Sequence, residues 1–326
     1  MPTNKQSLSK QIRWAILGPG TIAHTFAHAM QTVSSGTIEM VHSSSADRAK
    51  EFAAQYGIAQ HTTELKTVLE NQAIDAVYIA YPHAMHHQAM IQCLTHGKHV
   101  LCEKPLTIST QQAKDVIAIA QTNNLLLMEA MWTRFLPAWA QVRDWINNGH
   151  IGAVETIASS FGFTSPFDPD NRLYNPVLGG GALWDIGIYP ISMSNYVTSE
   201  FPDDLEAELI RGRTGVDEVA KVTMHYPGGV TSRFEVSLRE ELSNHFIIEG
   251  ELGTIRIASP FWGADRATIN SSSLQETIHS PHQPNGFEHQ INHVAQLINS
   301  NTIQSPVIPW ADTLESQRII EVLLTH

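Results

Sequence analysis

Three residues in this chain could carry a proton or steady a developing charge: Lys104, Asp185 and Tyr189. Lys104 stands in Glu103-Lys104-Pro105, just past the apolar stretch His99 to Cys102. At the carboxyl end of a strand, beside another positive charge, a lysine can hold a lowered pKa and hydrogen-bond a substrate oxygen. It reads equally as a surface lysine paired with Glu103. Asp185 and Tyr189 are spaced i, i+4, so on a helix they share one face. Gly187 between them thins that face. Gly179, Gly180 and Gly181 let the start of the helix bend toward a ligand. A phenol is a weak base at neutral pH, and a nearby ammonium lowers its pKa toward proton transfer. The competing description is a core tyrosine beside an aspartate on the helix surface.

A second cluster lies near the start of the chain. The apolar run Ile12 to Leu17 ends in Gly18-Pro19-Gly20-Thr21-Ile22-Ala23, and a helical segment, Thr21 to Val33, follows. A strand that closes in G-x-G-x-x-A and opens a helix is a dinucleotide fingerprint. Gly18 permits the turn and Gly20 lets the backbone approach a pyrophosphate. Ala23 lets helix and strand pack closely, and the amides at Thr21 and Ile22 open a helix N-terminus that favours phosphate.

The choice of dinucleotide rests on the tip of the second strand. Enzymes that take NAD usually place Asp or Glu there for the ribose 2′-hydroxyl. Here the segment is His42-Ser43-Ser44-Ser45-Ala46-Asp47-Arg48, with no acid at the tip. Ser43, Ser44 and Arg48 suit a 2′-phosphate, which points to NADP, with NAD or dual use as the alternative. Trp132 and Arg134 follow another strand end. They fit a wall against the nicotinamide or substrate ring and a cation on a cofactor or substrate oxygen. They fit interdomain packing and a salt bridge equally well. Phe161, Phe163, Arg172 and Tyr174 are further candidates for the substrate side. His83, His86 and His87 lack zinc spacing and an accompanying carboxylate, so no metal is expected there.

The elements that must hold these groups fall into two halves. Strands and helices alternate through residues 1–130: strands at Ile38 to Ser43, Ile74 to Ala80, His99 to Cys102 and Leu125 to Met128, with helices between them. Ser109 with Gln112 resembles a capping box. This is the pattern of a doubly wound parallel sheet, a Rossmann domain. Residues 131–326 change character. Val154 to Phe163, Leu205 to Arg211, Val219 to Tyr226, Val230 to Leu238, Asn244 to Glu249 and Thr254 to Ile257 read as strands. They form an α+β domain with an open, mostly antiparallel sheet, covered by helices Leu183 to Val197 and Phe287 to Ile298. Val230, Ser232, Phe234, Val236 and Leu238 share a strand face, and Val219, Val222 and Met224 extend it. An apolar face left bare would pair two copies across a two-fold axis. Ser271 to Ser273 and Ser280 to Gly286 read as loop.

Composition narrows the setting. A net charge of −12 argues against nucleic acid as a partner. No apolar run is long enough to span a bilayer, and Met1 to Lys10 is polar, without the core of a signal peptide. Two cysteines, Cys93 and Cys102, imply neither a disulfide framework nor a cysteine zinc site. They fit a reducing cytoplasm.

These motifs resemble the glucose-fructose oxidoreductase, inositol dehydrogenase and rhizopine catabolism (Gfo/Idh/MocA) family, and most closely its dihydrodiol and D-xylose dehydrogenase branch. The resemblance rests on Gly18 to Ala23, Glu103-Lys104-Pro105, Met128 to Phe135 and Gly179 to Tyr189, with Thr214 to Asp217 and Ser305 to Pro309. It implies hydride transfer between a nicotinamide cofactor and a hydroxyl-bearing carbon of a sugar, polyol or cyclic vicinal diol, in a homodimer or higher oligomer. It further implies a cis bond at Lys104-Pro105, Tyr189 as acid/base, Lys104 stabilising the alkoxide and lowering the Tyr189 pKa, and Asp185 orienting substrate or lysine. In the family the loop at Pro82, His83 and His86 contacts adenosine and nicotinamide ribose; here His83 replaces an asparagine. The other class of function open to such a chain is a non-catalytic dinucleotide sensor, which would be expected to lose Lys104 or Tyr189.

Overall fold

The computed structural model describes residues 10–325, so nine of the ten residues of the polar stretch Met1 to Lys10 lie outside the described residues. The first sheet has six parallel strands. They are β1 (Ile12–Leu17), β2 (Gly36–His42), β3 (Gln60–Thr62), β4 (Ala76–Ile79), β5 (His99–Cys102) and β6 (Leu127–Glu129), in the order β3-β2-β1-β4-β5-β6. Between them run α1 (Thr21–Met30), α2 (Ala46–Tyr56), α3 (Leu65–Glu70), α4 (His86–Thr95) and α5 (Thr110–Asn123). β4 is buried throughout, as a strand covered by helices on both faces must be. The strand order reverses between β1 and β4, and the crevice beyond their carboxyl ends is where such sheets take ligands.

The short polar β3 has no hydrophobic period and was not foreseen. Ser109 does sit at the start of α5, but its side chain caps nothing. The Thr110 amide instead donates to Glu321 at 2.9 Å, so a helix from the end of the chain closes this terminus.

The second sheet follows α6 (Pro137–Asn147). It holds β7 (Val154–Gly162), then, beyond α7 (Ile188–Thr198), β8 (Asp204–Arg211), β9 (Asp217–His225), β10 (Thr231–Ser237), β11 (Phe246–Gly250), β12 (Gly253–Ile257), β13 (Arg266–Ser271) and β14 (Gln275–His279). Their order is β14-β13-β12-β11-β7-β10-β9-β8. All neighbours are antiparallel except β7 and β10. β13 and β14 extend the sheet beyond the strands expected from sequence.

Two expectations need correction. Phe234, Val236, Leu238, Val222 and Met224 are all buried within a single copy. Their face packs on the domain's own helices, with α7 lying against β7. The opposite face carries Glu206, Glu208, Lys221 and Arg233, all exposed. The bare face is therefore polar, and the apolar argument for pairing does not hold. The helix α8 (Phe287–Asn299) does not cover this sheet either; it packs on α1. Asn292 accepts from Ser35 at 2.7 Å, and Asn285 donates to the Thr25 carbonyl at 3.0 Å. The last helix, α9 (Trp310–Leu323), lies on α5 and on α7. Thr313 donates to the buried Glu129 at 2.9 Å, and Trp310 donates to the Leu127 carbonyl at 2.9 Å. The end of the chain thus ties the two sheets together.

Candidate active site

A cleft of about 730 Å³ runs from the Gly18–Ile22 turn to Tyr189. At one end Gly18 has φ +94°, and a Cβ there would stand 2.9 Å from the Ala80 carbonyl oxygen. Only glycine fits the turn, because β1 and β4 are adjacent. A Cβ on Gly20 would meet nothing within 4 Å, so that turn faces open space at the start of α1. A pyrophosphate needs that space together with amides free to donate. Thr21 and Ile22 line the same end, and the residues present fit a dinucleotide.

Ser43, Ser44 and Arg48 line the cleft beside the tip of β2. The lining carries no acid at this end; its two carboxylates, Glu103 and Asp185, stand at the other. Arg48 Nη2 lies 3.4 Å from Ser44 Oγ. Ser45 caps α2 through the Arg48 amide, which fixes the backbone that presents them. His42 and Tyr81, joined by a 2.6 Å hydrogen bond, add a wall not foreseen from sequence.

Pro82 and His83 form the next stretch. His83 is buried; its Nδ1 lies 3.0 Å from the Gly179 carbonyl and its Nε2 3.8 Å from Asp185. Burial pulls the ring down to a pKa of about 3, so it is neutral. His86 does not line the cleft. Its two nitrogens lie 2.9 and 2.8 Å from the carbonyls of Pro105 and Tyr81, bracing the two loops that do. His87 lies 3.8 Å from Asp115 and away from the cleft lining.

The reactive end gathers groups from three elements. Lys104 follows β5, and its peptide bond to Pro105 is cis. Lys104 Nζ donates to the Asp185 carbonyl at 2.5 Å and to its carboxylate at 3.2 Å. Arg172 donates to the same carboxylate at 2.8 Å. Burial pushes the Asp185 carboxyl up, but Lys104, Arg172 and His83 outweigh it and hold the group well below the usual carboxylate range. Asp185 lies in a π-helical turn, Leu183–Gly187, that runs straight into α7, where Tyr189 sits. Such π turns recur at functional sites. Glu103 is buried behind Lys104, where Tyr78 donates to it at 2.5 Å. Burial pushes it up to about 7 against that hydrogen bond.

The geometry corrects the reading of Tyr189. Lys104 Nζ stands 5.1 Å from the centre of the Tyr189 ring, over its face rather than at its hydroxyl. Burial first, and then Glu103, raise the phenol pKa. The hydroxyl accepts instead from Trp132 Nε1 at 3.3 Å. Trp132 therefore touches the cleft through Tyr189 and does not wall it. Arg134 is elsewhere. It is buried among Asp312, the Val307 carbonyl and the Ser192 carbonyl, all within residues 131–326, which makes it the salt bridge of the two readings. Phe161 and Phe163 line the cleft, while Tyr174 turns away and donates to the Ser165 carbonyl at 2.7 Å. Trp262 was not foreseen; it stacks on Phe161 with ring centres 3.4 Å apart. Its only sequence signal is its place in an aromatic pair, Phe261-Trp262, inside a loop.

Residues 12–131 match the model of the oxidoreductase family with an NAD-binding Rossmann fold, and residues 139–256 match the GFO/IDH/MocA C-terminal domain. The chain is 30% identical over 323 residues to trans-1,2-dihydrobenzene-1,2-diol dehydrogenase of Homo sapiens, covering 96% of this chain and 95% of that one. The chain belongs to the GFO/IDH/MocA oxidoreductase family. The Xenopus laevis dihydrobenzenediol dehydrogenase is also 30% identical, over 92% of this chain and 93% of its own. A crystal structure of a 3-ketoreductase from Actinomadura kijaniata, in complex with NADP and TDP-benzene, superposes with a TM-score of 0.86 at 28% identity. It covers 97% of this chain and 98% of that one. This chain is accordingly an oxidoreductase that passes a hydride between a nicotinamide dinucleotide and a hydroxyl-bearing carbon. No helix among the described residues is long and apolar enough to cross a membrane.

Proposed function

We propose that this protein is an NADP-dependent dehydrogenase that oxidises a secondary hydroxyl of a cyclic vicinal diol, polyol or sugar. The observation that carries the reading is the convergence of Lys104, Asp185 and Tyr189 in one cleft with the Gly18–Ile22 turn. In this reading residues 1–130 hold the dinucleotide and residues 131–326 present the substrate. Gly18, Gly20, Thr21 and Ile22 hold the pyrophosphate, and Pro82, His83 and Glu103 flank the nicotinamide half. When bound, the nicotinamide supplies the hydride acceptor.

The protein's own work is position and charge. Tyr189 takes the hydroxyl proton. Lys104, held by Asp185, donates to the substrate oxygen as charge grows on it. Arg172 and the Asp185 carboxylate are placed for the neighbouring hydroxyl. Phe161 and Phe163, with Trp262 behind, offer a flat apolar surface to a ring. The dihydrobenzenediol dehydrogenases among the relatives support a cyclic diol. Purified protein with NADP⁺, tested against dihydrodiols, aldoses and inositols by nicotinamide absorbance, decides the substrate class; no reduction with any of them would overturn the reading.

NADP rather than NAD is supported by the acid-free tip of β2 and by Arg48 on the cleft wall. Arg48→Ala should weaken NADP binding by about tenfold, the scale of one hydrogen bond to a charged group, and leave NAD binding unchanged. Titration of both dinucleotides checks this, and tighter binding of NAD by the unaltered protein would refute it.

We also propose a homodimer in a reducing cytoplasm. Two buried free thiols, Cys93 and Cys102, support the compartment. The second sheet supports the dimer by its polar face, where Glu206, Glu208 and Glu235 stand with Lys221 and Arg233 on neighbouring strands. Across a two-fold axis such a face can meet its own complement. Light scattering should give twice the 36.1 kDa chain mass, and a monomer at micromolar concentration would refute the pairing.

A further inference from the structure

One sequence motif has no part in the site described above. Thr214-Gly215-Val216-Asp217 lies outside the cleft lining, yet its last residue is 1% exposed. A buried carboxylate is costly unless it is bonded. Asp217 is bonded to the helix that carries the reactive groups: its Oδ2 accepts the Leu183 N–H at 2.7 Å. Leu183 opens the π-helical turn, and the preceding residue, Ala182, has no side chain able to cap it. The amides at a helix start lack internal acceptors, and a carboxylate there is favoured by the helix dipole. Asp217 supplies the missing acceptor from across the fold.

Its aim is set by the second sheet. Asp217 is the first residue of β9 and pairs with Arg211, one step past a register shift at Ile210/Arg211 on β8. Bulges of this kind re-aim a side chain. Gly181 completes the fit. It has φ +120°, and a Cβ there would lie 2.3 Å from Asp217 Oδ1. Its N–H donates to the Leu173 carbonyl at 2.9 Å, and its own carbonyl accepts from the Asp185 N–H at 3.1 Å. One carboxylate and one glycine thus join β9, the loop bearing Arg172 and the turn bearing Asp185.

We propose that Asp217 is a positioning residue, which pins the start of the Leu183–Gly187 turn against β9 so that Asp185 and Tyr189 reach Lys104 and the substrate in reacting geometry. The proposal rests on the dehydrogenase reading for its kinetic consequence and on the fold alone for its structural one.

The test compares Asp217→Ala, Asp217→Asn and Gly181→Ala in the full-length protein. Asp217→Ala should lower kcat by about 10²-fold, the scale of a misplaced reacting group, with dinucleotide affinity unchanged. The deuterium isotope effect on kcat, read with substrate labelled at the reacting carbon, should rise as hydride transfer becomes limiting. A role in stability alone would reduce the folded fraction without moving that isotope effect. Asp217→Asn keeps a carbonyl oxygen for the Leu183 amide and should recover most of the turnover. Gly181→Ala keeps the Asp217 residue but pushes its carboxylate aside, and should fall with the alanine variant. Amide hydrogen exchange supplies the second readout: both defective variants should lose protection across residues 182–189 and keep it in the parallel sheet. Unchanged kcat and isotope effect in Asp217→Ala, or unchanged protection across 182–189, overturns the proposal. A wild-type protein inactive on every substrate would fail the dehydrogenase reading alone, because exchange would still report the anchor.

Discussion

Lys104→Ala loses about 10²-fold or more in turnover, the scale of a removed proton-transfer or charge-stabilising group, while dinucleotide affinity stays near that of the unaltered protein. The expectation follows from where Lys104 spends its hydrogen bonds. Its ammonium donates twice to Asp185, by the main-chain carbonyl and by the carboxylate. It can exchange one of these for a substrate oxygen without moving far. The loss should fall on kcat rather than on cofactor binding, since the pyrophosphate cradle at Gly18–Ile22 is at the other end of the cleft. Asp185 would remain paired with Arg172 at 2.8 Å, so the alanine variant leaves no unpaired carboxylate behind and should fold. Lys104→Arg should recover little, because a planar fork cannot occupy the place of a compact ammonium over the Tyr189 ring. Steady-state kinetics with a dinucleotide titration check the set. Near-normal turnover in Lys104→Ala would remove it from the chemistry.

The parts of this site that could be read from sequence are those where one residue type answers one backbone demand. Gly18 has no substitute beside the Ala80 carbonyl, so the turn announces itself. The apolar β-branched run through β4 could hardly be anything but a strand buried on both faces. Long-range choices were harder. Arg134 sits two residues from Trp132 in sequence, yet its guanidinium turns toward Asp312, a partner 178 residues away. The alternation in β10 marks an apolar face, but not which layer covers it; α7 does, and the exposed face is the charged one. β14 is the polar, largely exposed edge strand, and β13 beside it alternates but buries only Ala267, Ile269 and Ser271, so neither gave a strand signal in the sequence. The same holds for energetic signs. The sequence joins Lys104 to Tyr189 only through the family resemblance, and geometry shows that the ammonium stands over the ring face while burial dominates the phenol.

Tyr189→Phe should lose about 10²-fold or more in turnover at neutral pH, and its pH profile should separate it from a variant with a merely damaged site. Burial, with Glu103 behind it, holds the Tyr189 phenol in its neutral form. Oxidation of an alcohol needs the phenolate to receive the proton, so the oxidative rate should climb with pH across the alkaline range. Reduction needs the phenol, which burial keeps protonated across the same range, so its rate should stay nearly level. The phenylalanine variant has no proton to gain or lose, so the oxidative climb should flatten and both rates should fall. Trp132 supplies the control. Its indole N–H donates to the Tyr189 oxygen and favours the phenolate, so Trp132→Phe should push the oxidative profile further toward alkaline pH without flattening it. Rates measured in both directions from neutral to alkaline pH read all three variants. A Tyr189→Phe protein that keeps the alkaline climb would assign the proton to another group. Glu103, pushed up to about 7 and hydrogen-bonded to Tyr78, would then be the first to test.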